Sequence, residues 1–250
     1  MSQNTGRTGS SLPNRLLNVL VGITAICAVV VTALVVRREL TGPGAGPAAT
    51  DVETSGTVAE WRGLLEAGHA LGPPDAPVQI VAFSDFQCPA CRALATSIRA
   101  LRAQFPEAIR FVYRHYPLPN HSHATTAAHA SECAARQGAF LAFHDALFAE
   151  QEVIGYVPWR YFATVADLRD LDQFSACMRA EPSERVTRDR EAGEELGVDG
   201  TPTLVLNGRR IGGAPPYPAL EELVRAELGN WAGQAMDRSG TRPTTQTATP

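Results

Sequence analysis

Cys88 and Cys91, in the stretch Phe83-Ser84-Asp85-Phe86-Gln87-Cys88-Pro89-Ala90-Cys91, carry the clearest chemistry of this chain. They stand where an apolar strand, Val78 to Phe83, gives way to a helix. A cysteine at a helix N-terminus faces unsatisfied backbone N–H groups and the positive end of the macrodipole. Its thiolate is stabilised, and its pKa falls from about 8.5 into a range of about 3.5 to 7.5. Cys91 follows one helical turn later, within disulfide reach, and Pro89 suits the first turn, where its missing N–H would be unsatisfied anyway. The pair reads as a redox dithiol. The same spacing makes half of a zinc site, which needs a second pair of ligands. No second Cys-x-x-Cys exists, Cys27, Cys133 and Cys177 are scattered, and the six histidines do not fall at His-x3-His spacing. Neither a metal nor a cofactor is expected.

A second signal lies far downstream, at Gly200-Thr201-Pro202-Thr203-Leu204-Val205-Leu206-Asn207-Gly208. Proline is allowed at the first residue of a strand but not inside a paired one. Thr201-Pro202 is a candidate cis bond, which is inexpensive only before proline, and at a strand edge it leaves neighbouring backbone free to pair with an extended peptide. A trans proline opening an ordinary strand is the alternative, and the upstream Cys-x-x-Cys argues against it. Asn207-Gly208 before Arg209 to Ile211 reads as a hairpin turn.

In order along the chain, Gly72-Pro73-Pro74-Asp75-Ala76-Pro77-Val78, the Cys-x-x-Cys stretch, Tyr113-Arg114-His115-Tyr116-Pro117-Leu118 and Gly200-Thr201-Pro202-Thr203 resemble the motifs of DsbA-like thiol-disulfide oxidoreductases. The resemblance covers roughly residues 68–230. It implies an α/β thioredoxin fold with a helical insertion, Cys88 as attacking and Cys91 as resolving cysteine, and Thr201-Pro202 packed against the pair. It also implies exported, cysteine-containing protein substrates and a membrane redox partner of the DsbB or vitamin K epoxide reductase kind. One position departs from the pattern: Ala82 stands where the family usually has Glu or Asp, six residues before the first cysteine. A buried Cys91 thiol then lacks its usual proton acceptor, and resolution is expected to be slow near neutral pH unless water or Asp85 substitutes.

The elements that must position these residues follow from periodicity. Val78 to Phe83 and Ile109 to Tyr113 flank an amphipathic helix from Pro89 to about Gln104, a right-handed βαβ unit. Helical patterns at Ala124–Gln137, Phe140–Gln151, Trp159–Ala166, Leu171–Arg179 and Glu184–Leu196 form an insertion over about 118–197, and Tyr217–Leu228 is the terminal helix. Cys133 and Cys177 fall in two inserted helices. A structural disulfide between them would stabilise by about 3–4 kcal/mol; two buried, reduced cysteines are the alternative. His121, His123 and His129 are read as surface or capping residues, and His115, ending a strand close to Pro117, as the histidine that comes near the site.

With 250 residues, 44% hydrophobic, and a net charge of −4, the chain suffices for one domain plus appendages. Its basic residues are all arginine and scattered, without the clustered patch that nucleic-acid phosphates require. The charge-free run from Leu16 to Val36 is close to the ~20 residues needed to cross a bilayer. A cleaved signal peptide would have a shorter apolar core of about 7–15 residues, so 16–36 is read as an uncleaved signal-anchor. Ile26 before Cys27 argues against a lipoprotein cysteine. Arg7 and Arg15 nearly balance Arg37 and Arg38, so orientation rests on redox logic: a disulfide-donating dithiol belongs on the oxidising side. The expected organisation is a cytoplasmic tail over 1–15, a single-pass anchor over 16–36 in the cell membrane, a tether over 37–57, an extracytoplasmic thioredoxin-like domain over 58–231, and a tail without order over 232–250.

Overall fold

Among the described residues one mixed sheet of six strands carries the site, in the order β1 (Thr54–Thr57), β6 (Arg209–Gly212), β5 (Thr203–Leu206), β3 (Val78–Ser84), β4 (Ile109–His115) and β2 (His69–Leu71). Only β3 and β4 run parallel, with Val78 opposite Ile109 and Ser84 opposite His115. The computed structural model describes residues 54–181 and 183–239, together with the helical positions Ala25, Val29 and Thr32. The chain divides between Thr50 and Asp51, and the second unit is the one described here. Apart from those three positions, the expected anchor over 16–36 lies outside the described residues, as do 1–15 and 240–250. Among the described residues no helix is long and apolar enough to cross a membrane.

The βαβ unit forms as the pattern predicts. Between β3 and β4 runs α2 (Pro89–Gln104), which buries Cys91, Leu94, Ile98 and Leu101 on the sheet. That spacing of three and four residues makes one apolar stripe. Four inserted helices, α3 (Ala124–Ala135), α4 (Phe140–Ala149), α5 (Trp159–Val165) and α6 (Leu171–Cys177), join α2 in one core with Ile80, Ala82, Phe111 and Tyr113 of the sheet. On the opposite face Val81, Phe83, Val112 and Val205 meet Leu65 of the short helix α1 (Leu64–Ala67) and Ala192 of α7 (Glu184–Glu195). Helices on both faces explain why β3 and β4 read as continuous apolar runs rather than alternating ones. This is the thioredoxin arrangement with a helical insertion.

Three boundaries differ from the sequence reading. Thr54–Thr57, assigned to the tether, is strand β1, antiparallel to β6, so the folded unit starts before Val58. His69–Leu71 pairs with β4 as an edge strand too short to show periodicity. The terminal helix α8 (Tyr217–Ser239) continues well past Leu228, into the segment expected to lack order. At Asn207-Gly208 both residues have positive φ, 45° and 89°, the two-residue turn that joins strands β5 and β6.

Candidate active site

Cys88 caps α2 in extended conformation with Pro89 in the first turn, and its carbonyl accepts from the amides of Cys91 (3.1 Å) and Arg92 (3.2 Å). Across the site, the Thr201-Pro202 bond is cis, and the Thr201 carbonyl oxygen lies 3.2 Å from Cys88 Sγ. Strand β5 begins immediately after Pro202. The structure therefore brings Cys88, Pro89, Cys91, Thr201 and Pro202 together, with the two cysteines as free thiols.

The two sulfurs differ sharply. Cys88 is lowered to about 5, first by a hydrogen bond from the Cys91 thiol, with Thr201 and the amides of Cys91 and Ala90 adding, against the opposing effect of partial burial. Cys91, 1% exposed, is pushed far above the ordinary thiol range, first by burial and then by donating to Cys88. Ser84 and the Asp85 amide, 3.4 Å from Cys91 Sγ, pull weakly the other way. A stabilised thiolate at the helix N-terminus, backed by a more deeply buried proton-bearing thiol, is the arrangement thiol–disulfide exchange requires: Cys88 attacks or is attacked, and Cys91 resolves.

Residues the motifs alone did not reveal hold this geometry. Asp85, buried, accepts from the Gln87 amide (2.7 Å) and the Leu118 amide (2.8 Å) and pairs with His121 Nδ1 at 2.7 Å. Gln151 Nε2 donates to the carbonyls of Phe86 (2.8 Å) and Cys88 (3.0 Å), and Gln87 Oε1 accepts from the His123 amide at 2.6 Å. The inserted domain thus clamps the Cys-x-x-Cys loop from two sides. A polar residue far away in sequence leaves no local trace of such a role, though Asp85 sits within the motif stretch.

Cys133 and Cys177 form a disulfide joining α3 to the end of α6, with 5.7 Å between their Cα atoms. His115 is fully buried behind the site, its Nε2 2.9 Å from Glu132 Oε1. His129, expected at the surface or as a cap, is instead buried against the Cys177 carbonyl at 3.2 Å, because its ring packs inside the insertion.

A thioredoxin family model matches residues 65–226. Among solved structures, a thioredoxin-like oxidoreductase from Silicibacter pomeroyi is 26% identical with a TM-score of 0.58, over 68% of this chain and 99% of that one. The catalytic domain of Proteus mirabilis ScsC (21% identical, TM-score 0.58) and Wolbachia pipientis α-DsbA1 (18%, 0.59) share the fold, each over 68% of this chain and 95% of theirs. Curated relatives include a Na(+)/H(+) antiporter NhaA 3 from Salinispora tropica, 37% identical over 70% of this chain but only 26% of its own length. The chain spans about a quarter of such relatives, so their transport activity is not carried over.

Proposed function

The chain belongs to the thioredoxin family as a thiol-disulfide oxidoreductase, and we propose that it acts outside the cytoplasm as an oxidase of exported proteins. A substrate thiolate attacks Cys88 Sγ of the Cys88–Cys91 disulfide, and Cys91 departs. A second substrate thiol then displaces Cys88, leaving the substrate oxidised and the pair reduced. The observation that carries this reading is the environment of Cys88. A stabilised thiolate favours the reduced pair and makes the disulfide a strong oxidant. The Cys133–Cys177 disulfide supports an oxidising compartment. Residues 16–36 serve as the single-pass anchor and 37–53 as tether, with a DsbB-like or vitamin K epoxide reductase-like membrane protein restoring the disulfide. A reductase or isomerase is the second reading, favoured by Ala90, which brings no charge or side-chain hydrogen bond to the thiolate. A non-catalytic binding module with an idle dithiol is the third.

Oxidised full-length protein mixed with a reduced, unfolded two-cysteine protein tests the reading. Stoichiometric disulfide formation in the substrate is expected, and Cys91→Ser preloaded at Cys88 with a thionitrobenzoate disulfide should pass to a mixed disulfide with the substrate as the thionitrobenzoate leaves. Failure of both reactions would leave only the binding module.

A further inference from the structure

Two groups of side chains among the described residues have donor atoms placed to hold a metal ion. In one, His129 lies beside Cys133 and Cys177, but those two sulfurs are joined to each other and offer no thiolate. In the other, His69, His115 and Glu132 bring one ligand atom each within 4.8 Å of one another. We propose that these three residues bind one first-row divalent transition ion, which ties the edge strand β2 and helix α3 to β4.

The ligands meet because of strand register. His69 stands opposite Tyr113 across β2 and β4. Side chains alternate along a strand, so His115, two residues beyond Tyr113, shares that face. Glu132 reaches it from α3, and its Oε1 meets both imidazoles, His115 Nε2 at 2.9 Å and His69 Nε2 in closer contact. The three side chains are 15% (His69), 1% (His115) and 10% (Glu132) exposed. Neighbouring rings fix the orientation of both imidazoles. His69 stacks on Phe140 with centroids 3.5 Å apart, while His115 stands edge-on to His69 (5.9 Å) and to Tyr113 (5.2 Å). Spacing along the chain shows no ligand pattern here because the three residues come from three separate elements.

Two imidazoles and a carboxylate are the donor set of zinc and its neighbours rather than of magnesium or calcium, which take oxygen ligands. Burial opposes ionisation of Glu132, yet hydrogen bonds from His115 and His69 hold its carboxyl well below the usual range, in the form that ligates. Arg185 Nε, 3.3 Å from Glu132 Oε2, holds the second oxygen and leaves Oε1 to the ion. Ion binding moves each neutral ring's proton from Nε2 to Nδ1, so no proton is gained or lost. Three protein ligands leave a fourth position for water, and the partly exposed His69 gives access from solvent. His115 Nδ1 is buried and has no hydrogen-bond partner. Outer partners of ligating histidines are worth about 10–100-fold in affinity, so this site binds more weakly than one with that partner in place. The Arg185 charge lowers affinity in the same direction.

The proposal stands apart from the direction of thiol exchange, and zinc is its probe. Untagged full-length protein with the Cys88–Cys91 disulfide closed, which keeps that pair from competing, is titrated with zinc chloride against a chromophoric chelator. His69→Gln serves as the comparison, because it keeps a donor for Glu132 but loses the imidazole. Wild type should hold one zinc ion per chain at least about 100-fold more tightly than the variant. Its thermal midpoint should rise with zinc, and that of His69→Gln should not. Equal zinc affinity in the two proteins, or no zinc bound by either, overturns the proposal and leaves a hydrogen-bonded triad only. Should His69→Gln not fold, cobalt(II) added to the oxidised wild type decides. Visible d–d bands without thiolate charge transfer, abolished by one equivalent of zinc, are expected. A spectrum unchanged from cobalt in buffer, or one with a thiolate band, overturns the site.

Discussion

At Cys88 the hydrogen bond from Cys91, Thr201 and the helix amides outweigh partial burial, and the thiolate is favoured down to about pH 5. Iodoacetamide should therefore label Cys88 with an apparent pKa near 5, and Cys91 far more slowly. Equal labelling would contradict the assignment. The same shift predicts a pH dependence of stability for the reduced protein. Between about pH 5 and 8.5 the unfolded chain binds one proton more at this position than the folded chain does, so stability rises with pH there. As pH falls toward 5 the contribution is lost, by at most ~1.4 kcal/mol per pH unit. Urea unfolding of reduced wild type against Cys88→Ser at several pH values measures it, and identical slopes would refute it. Both cysteines, Pro89 and Thr201-Pro202 were legible in sequence because chain-local rules place them: a helix start and a proline opening a strand. Gln151 was not, because its grip on the Phe86 and Cys88 carbonyls arises from a contact across the fold.

At the scale of elements, α7 is fixed to the sheet by one buried ion pair and one close approach. Arg114 Nε on β4 lies 2.5 Å from Asp189 Oδ1, with both side chains at most 4% exposed. Removing one partner of a buried pair strands the other, so Asp189→Ala should cost about 3–5 kcal/mol in urea unfolding. A loss under about 1 kcal/mol would show the pair to be solvated. One helical turn on, a Cβ at Gly193 would sit 2.6 Å from the Tyr116 ring, which Phe83 backs. Gly193→Ala should cost about 1–3 kcal/mol and strain the bond from the Tyr116 hydroxyl to the Val198 carbonyl, 2.6 Å; an unchanged unfolding midpoint would contradict the close approach. Periodicity announced α7 itself but not its glycine, which looks like a weak point in a helix until the Tyr116 ring is placed against it. Strands β1 and β2 escaped notice for a different reason: three or four residues at a sheet edge carry pairing but no pattern.

At the scale of the molecule, the insertion between Cys88 and Pro202 both clamps the active-site loop and holds itself together through Cys133–Cys177. That bridge spans 44 residues, and replacing both cysteines by alanine should cost about 3–4 kcal/mol while leaving Cys88 reactivity intact. Calorimetry of the pair against wild type checks the first part, and loss of Cys88 alkylation would contradict the second. In the proposed function, a thiolate stabilised at Cys88 against a buried Cys91 makes this domain a donor of disulfides. The reduction potential of the Cys88–Cys91 couple, equilibrated against glutathione with the Cys133–Cys177 bridge intact, tests it most directly. A value toward about −120 mV is predicted, and one near about −270 mV would contradict the oxidase and identify a reductase.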